Sequence, residues 1–301
     1  VREASRVPSS IRTGRTRVVT LPDGRSLSAI TYTGRGTPLV LLHGLLDSAE
    51  GWRALCAATR HPCVAIDLPG FGGSNLPTHP SFSSYAADVA AALETLAPKP
   101  FVLVGHSLGG GIATALAERM PDRVLALVLL APAGFGRIPL AEAVSMPGVR
   151  LVADRVLPAA LGNRYAVASA YRFFVSNGKT ASDDLLARVL EHRGTSAAGA
   201  REATKAVVRG GLSPRAFFKR RVRYDGPVTV VWGDHDRVVP KAHISGVAAA
   251  FPHVDARVWT GMGHHPQRER PANLAALIEA ACRSASRPKP GPSSGARGVA
   301  A

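Results

Sequence analysis

The feature that most constrains this chain is Gly105-His106-Ser107-Leu108-Gly109, which follows directly on an apolar stretch, Phe101 to Val104, and opens directly into an amphipathic one, Leu108 to Met120. The short apolar run bounded by glycine predicts a buried strand, and the longer periodic run predicts a helix. A chain that passes from strand to helix this abruptly must turn sharply, and the flanking glycines remove the Cβ atoms that would obstruct the turn. Such a turn presents the Ser107 hydroxyl at the strand end, against a helix N-terminus whose unpaired N–H groups favour developing negative charge. Ser107 is therefore the candidate nucleophile, and the Leu108 N–H is a candidate oxyanion donor.

The surrounding sequence repeats the same alternation of short apolar runs and amphipathic stretches, the pattern of an α/β fold in which helices cover a parallel sheet. A hairpin is expected from Arg17 to Leu21 and Ser26 to Tyr32, turned by Pro22-Asp23-Gly24. Strands follow at Pro38 to Leu42, Cys63 to Ile66, Phe101 to Val104, Val124 to Leu130, Pro227 to Val231 and Ala256 to Trp259. Helices are expected around Ala49 to Thr59, Phe82 to Leu96, Leu108 to Met120 and Ala242 to Phe251, with a last one reaching about Ala281. Residues 135–224 break the alternation: helical stretches such as Asp183 to Glu191 and Arg201 to Val208 are interrupted by Gly and Pro, with no convincing strand. A helical cap inserted between two strands is the simplest account. The expected division is a catalytic core of residues 17–134 and 225–283, the cap of 135–224, and disordered tails of 1–16 and 284–301 whose Ser, Pro, Gly and Arg cannot bury enough apolar surface to order.

Three further motifs supply what a serine needs. An unperturbed hydroxyl is a weak nucleophile and requires a base within hydrogen-bond reach, with a carboxylate fixing the tautomer of that base. Asp236, in Trp232-Gly233-Asp234-His235-Asp236, follows one strand, and His264, in Gly263-His264-His265-Pro266, follows the next. The chain order Ser, Asp, His is one of the known orders for such a triad. Asp234 and His265 are the local rivals for acid and base, and His265 is otherwise expected to line the pocket. His43-Gly44-Leu45-Leu46 ends a strand at the sheet edge where open α/β folds bind ligands. Leu45 N–H is the second candidate oxyanion donor, with His43, Gly44 and His106 as further pocket candidates.

From about Arg17 to Ala281 the chain resembles the lidded α/β-hydrolases. The resemblance rests on Gly105-His106-Ser107-Leu108-Gly109-Gly110, His43-Gly44, Asp67-Leu68-Pro69-Gly70-Phe71-Gly72-Gly73-Ser74, the Trp232-Gly233, Asp236, Pro240 spacing, and the Gly263-His264, Glu269, Pro271 spacing. It implies a mostly parallel eight-stranded sheet with the cap after strand six, the triad on Ser107, Asp236 and His264, and Asp236 rather than Asp234 as the acid. It implies hydrolysis of a carboxylic ester or related acyl compound with no cofactor and no metal. Two alternatives on the same fold are a carbon–carbon bond hydrolase of aromatic ring-cleavage products and a cofactor-free haloperoxidase or perhydrolase. The carbon–carbon hydrolases typically carry Asn before the nucleophile and Trp after the histidine, where this chain has His106 and His265. They also place a carboxylate-gripping arginine where Arg188 falls, whereas the plainer reading of Arg188 is a solvated helix face. Asp67 and Ser74 are expected to be structural, Glu269 to support the last helix, and His61, His79, His192, His243 and His253 to be solvated.

Charge and cysteine content narrow the setting. The net charge of +16 is carried by residues 1–17 and 283–301, each +4, and by 135–224, at +10, while the two stretches bearing the motifs are each −1. A basic total with no nucleic-acid reading module argues against a specific nucleic-acid partner and leaves a small-molecule ester or acyl substrate as the expected one. Cys56, Cys63 and Cys282 have no metal-ligand spacing and are expected to be buried thiols. No apolar run is long enough to span a bilayer and no secretory h-region is visible, so a cytoplasmic protein is expected. Oligomeric state has no signature in the sequence.

Overall fold

The computed structural model describes residues 12–76, 81–139, 142, 163–176, 216–217 and 219–285. Eight strands form one sheet: β1 (Arg15–Thr20), β2 (Ser26–Tyr32), β3 (Leu39–Leu42), β4 (Cys63–Ile66), β5 (Phe101–His106), β6 (Val124–Leu130), β7 (Val228–Gly233) and β8 (Val254–Trp259). Their spatial order is β1-β2-β4-β3-β5-β6-β7-β8, with β2 antiparallel to both its neighbours and every other pairing parallel. The helices are α1 (Arg53–Ala58), entered through a 3-10 turn at Ala49–Trp52, α2 (Phe82–Leu96), α3 (Leu108–Arg119), α4 (Arg164–Ala170), which runs into a π-helical turn at Tyr171–Val175, α5 (His243–Ala250), α6 (Pro266–Glu269) and α7 (Pro271–Ala285).

The central strands β3 to β7 are largely apolar and buried because both faces of the sheet are covered there, whereas the edge strands β1 and β8 are mostly exposed. Alternate residues point to opposite sides. Val40, Leu42, Leu103, Leu127, Leu129, Val230 and Trp232 pack with α2, α3 and α5 on one side. Leu39, Leu41, Val102, Val104, Val128, Leu130 and Val231 pack with α1 and α7 on the other. All three cysteines are buried free thiols.

Several boundaries differ from the sequence reading. Strand β1 starts at Arg15, inside the stretch assigned to the N-terminal tail, and Arg12 donates to the carbonyls of Thr33, Cys56, Thr59 and His61. The single last helix is two, α6 and α7, separated at Arg270 because Pro271 has no N–H to continue a helix and restricts the residue before it. Helix α7 runs to Ala285, two residues into the stretch assigned to the C-terminal tail. Between β6 and β7 the described residues contain α4, the π-helical turn and no strand. Among the described residues no helix is long and apolar enough to cross a membrane.

Candidate active site

The site lies at the carboxyl ends of β3, β5, β7 and β8. Ser107 joins β5 to α3 with φ 51° and ψ −116°, a left-handed conformation that costs an L-residue on the order of 1–3 kcal/mol. Four backbone hydrogen bonds hold it there: its N–H donates to Leu130 O at 2.9 Å, and its carbonyl accepts from Gly110 N and Ala133 N, each at 2.9 Å, and from Gly111 N at 3.3 Å. The side chain caps nothing in α3. Leu108 opens α3, so its N–H has no intrahelical acceptor. The turn demands glycine at 109, where a Cβ would lie 2.3 Å from Leu42 O.

The loop after β3 approaches the same point. A Cβ on Gly44 would lie 2.8 Å from His106 Nδ1 and 3.2 Å from the Ser107 Cβ. Leu45 follows, with its side chain partly exposed, and Leu46 adopts φ 61°. His43, read from the sequence as a pocket residue, is fully buried and spends both ring nitrogens on backbone. Leu68 N–H donates to its Nε2 at 2.9 Å, and its Nδ1–H donates to Gly44 O at 2.7 Å. Burial lowers its pKa, so it is a neutral strut between the loops after β3 and β4.

His264 Nδ1 lies 2.7 Å from Asp236 Oδ2, and Asp236 Oδ1 accepts from Val238 N and Val239 N at 2.9 Å each. Both side chains are buried. Burial pushes the Asp236 carboxyl up, but His264 and the two backbone donors more than offset it and hold its pKa below the ordinary carboxylate value. Asp234 is not part of this contact. Its Oδ1 accepts from Gly261 N, Met262 N and His235 Nδ1, tying the turn after β7 to the one after β8.

Two histidines flank His264. His106 donates from Nε2 to His264 O at 2.8 Å, its Nδ1 has no partner, and burial followed by the charge of His264 lowers its pKa to about 3. His265 Nδ1 is 3.2 Å from the Tyr171 hydroxyl. Burial, then His106, His264 and Arg268, hold its pKa well below the ordinary value. Glu269 accepts from Gly263 N and His265 N, so it braces the loop that carries His264 as well as the start of the closing helices. Arg188 lies outside the described residues, as do His79 and His192.

Sequence reasoning missed several residues here. Asp47 and Arg268 form a buried ion pair, 2.5 Å apart with side-chain exposures of 6% and 8%, that ties the loop after β3 to α6. The His264 N–H donates to Val175 O at 2.6 Å, so the π-helical turn of the inserted segment rests directly on the histidine loop. His61 and His243, expected in solvent, are buried: His61 meets Glu279 and Thr37 O, and His243 meets Arg137 O. Asp67 and Ser74 are structural, with Asp67 accepting from Ala49 N and Gly73 N and Ser74 bridging Ser28 N to Asp67 O. Arg268→Met strands the Asp47 charge in this interior and is expected to lower the unfolding free energy by about 3–5 kcal/mol in urea denaturation. A loss below about 1 kcal/mol would mean that the pair is effectively solvated.

The sequence matches the alpha/beta hydrolase fold family over residues 37–271. It is 29% identical to the 2-hydroxy-6-oxononadienedioate/2-hydroxy-6-oxononatrienedioate hydrolase of Burkholderia vietnamiensis, over 85% of this chain and 91% of that protein. It is 26% identical to the (lyso)-N-acylphosphatidylethanolamine lipase of Mus musculus, over 89% of this chain and 86% of the relative. A thermophilic esterase from Thermogutta terrifontis superposes with a TM-score of 0.72 over 91% of this chain and 100% of its own, at 22% identity, a likeness of fold. The chain belongs to the alpha/beta hydrolase fold family.

Proposed function

We propose that the protein is a serine hydrolase that cleaves a carboxylic ester or related acyl compound through an acyl-enzyme. The observation that carries this reading is the buried His264–Asp236 contact at 2.7 Å, together with a serine held in a strained strand-to-helix turn. Asp236 accepts from Nδ1–H and so leaves the Nε2 lone pair of His264 to take the Ser107 proton. Ser107 Oγ then bonds to the acyl carbon, and the N–H groups of Leu108 and Leu45 receive the oxyanion. His264 returns the proton to the departing alcohol. Water, deprotonated by the same nitrogen, attacks the acyl-enzyme and restores Ser107.

In this reading residues 135–224 form a cap over the site, and Gly44, His106, His265 and Arg188 border the pocket. No cofactor enters the reaction, and the partner is a small molecule rather than nucleic acid. The mouse relative's name, a lipase, supports an ester substrate. The Burkholderia relative favours a second reading, carbon–carbon hydrolysis of a ring-cleavage dienoate by the same serine and histidine. A panel of chromogenic esters of graded acyl length, run beside a ring-cleavage dienoate, separates the two. Turnover of the esters with none of the dienoate is expected, and the converse would assign the second reading.

A further inference from the structure

The hydrolytic proposal uses one nitrogen pair of one histidine, yet three imidazoles converge at this point. His106, His264 and His265 bring ligand nitrogens within 4.8 Å of one another. Their ring centroids are 4.7 Å apart for His106 and His264, 4.7 Å for His106 and His265, and 5.5 Å for His264 and His265. Each ring has one nitrogen engaged by a different kind of group: His264 Nδ1 by the Asp236 carboxylate, His106 Nε2 by the His264 carbonyl, and His265 Nδ1 by the Tyr171 hydroxyl. Among the described residues this leaves Nε2 of His264, Nε2 of His265 and Nδ1 of His106, the last buried with no hydrogen-bond partner. A ring held by a carboxylate or carbonyl at one nitrogen and free at the other is how protein histidines are prepared for metal, since the outer bond fixes tautomer and orientation.

The surrounding charge suits a cation. Among the described residues Asp236 touches His264 and Glu269 accepts from the His265 N–H, while Asp47 and Arg268 offset each other as an ion pair. Zinc–imidazole bonds of about 2.0–2.1 Å in a tetrahedron place ligand nitrogens roughly 3.4 Å apart. Ligand nitrogens within 4.8 Å of one another would close by about 1.5 Å at most to reach that spacing.

We propose that His106, His264 and His265 form a three-imidazole site for a borderline transition-metal dication, zinc foremost, and that zinc there blocks hydrolysis by taking the Nε2 lone pair of His264. The binding half stands on the cluster alone, while the inhibitory half rests on the reading of His264 as the base. Imidazole, rather than carboxylate or thiolate, donors select zinc, copper or nickel over magnesium or calcium.

Equilibrium dialysis of the metal-free full chain against zinc chloride, near neutral pH, tests binding without any substrate. One zinc per chain is expected. His265→Gln and, separately, His106→Gln should each weaken it by at least about 10-fold, and Tyr171→Phe, which removes an outer bond, by roughly 10-fold or less. His253→Gln, at an exposed histidine, is the control and should bind as wild type does. Each variant's melting curve identifies any that fail to fold, and two independent ligand variants keep the test decisive if one does. Magnesium should not compete. Zinc affinity unchanged in both ligand variants, or no saturable binding, overturns the site. The rate of fluorophosphonate labelling in zinc, relative to each variant's own zinc-free rate, reads the inhibitory half. Slowing in wild type that is relieved in His265→Gln supports it, and saturating zinc with unslowed labelling overturns it while leaving the site.

Discussion

A chain carrying Ser107→Ala is expected to lose about 10³-fold or more of its kcat on whichever chromogenic ester proves best, and to lose fluorophosphonate labelling entirely. The magnitude follows from the way triad members act: with the nucleophile gone, His264 and Asp236 have no proton to move, and what remains is binding and oxyanion stabilisation alone. The fold should not suffer. The Ser107 side chain caps nothing in α3, and alanine keeps the Cβ, so the left-handed turn is neither relieved nor worsened. Ser107→Gly sharpens the test. Glycine adopts φ 51° without penalty. That variant should be as inactive as Ser107→Ala and melt at a higher temperature, showing that strain at this position is kept for activity. Persistent labelling in the alanine variant would remove Ser107 from the mechanism.

Much of the scaffold was legible because its signals are local. The core strands are unbroken apolar runs, and the turn at Ser107 is spelled by glycines within two residues of it. Helix α2 was placed from its periodicity, and the serine that caps it, Ser81, is also local. What escaped depends on contacts between distant segments. Asp47 and Arg268 stand 221 positions apart, and neither sits in a pattern that marks a buried charge. His61 is buried because Glu279, 218 positions away, meets it on α7. The bond from His264 N–H to Val175 O has no signature at all, since any residue supplies a carbonyl. His43 ends its strand as the motif implies, but a motif fixes position and not the fate of two ring nitrogens, both of which bond to backbone here. The break between α6 and α7 was within reach: Pro271 marks it, and the apolar periodicity continuing across it concealed it.

The larger of the remaining expected effects separates the two neighbouring acids. Asp236→Asn should lower kcat by up to about 10⁴-fold, whereas Asp234→Asn should cost less than about 10-fold. An asparagine at 236 keeps an oxygen for Val238 N and Val239 N and therefore turns its NH2 toward His264. Two donors then face each other unless His264 moves its proton to Nε2. In that tautomer Nε2 is a donor and takes no proton from the serine. An asparagine at 234 loses nothing comparable, because its amide oxygen still accepts from Gly261 N and Met262 N. Asp236→Asn should also change acid stability. The folded pKa of Asp236 is depressed, so its ionised form favours the fold at neutral pH, and that contribution disappears as pH falls from the ordinary carboxylate value through the depressed one. Melting curves from neutral to acid pH should therefore fall less steeply for Asp236→Asn than for the unmodified chain. If Asp234→Asn proves the more damaging to kcat, the acid of the triad is misassigned and the 2.7 Å contact between Asp236 and His264 has a structural meaning instead.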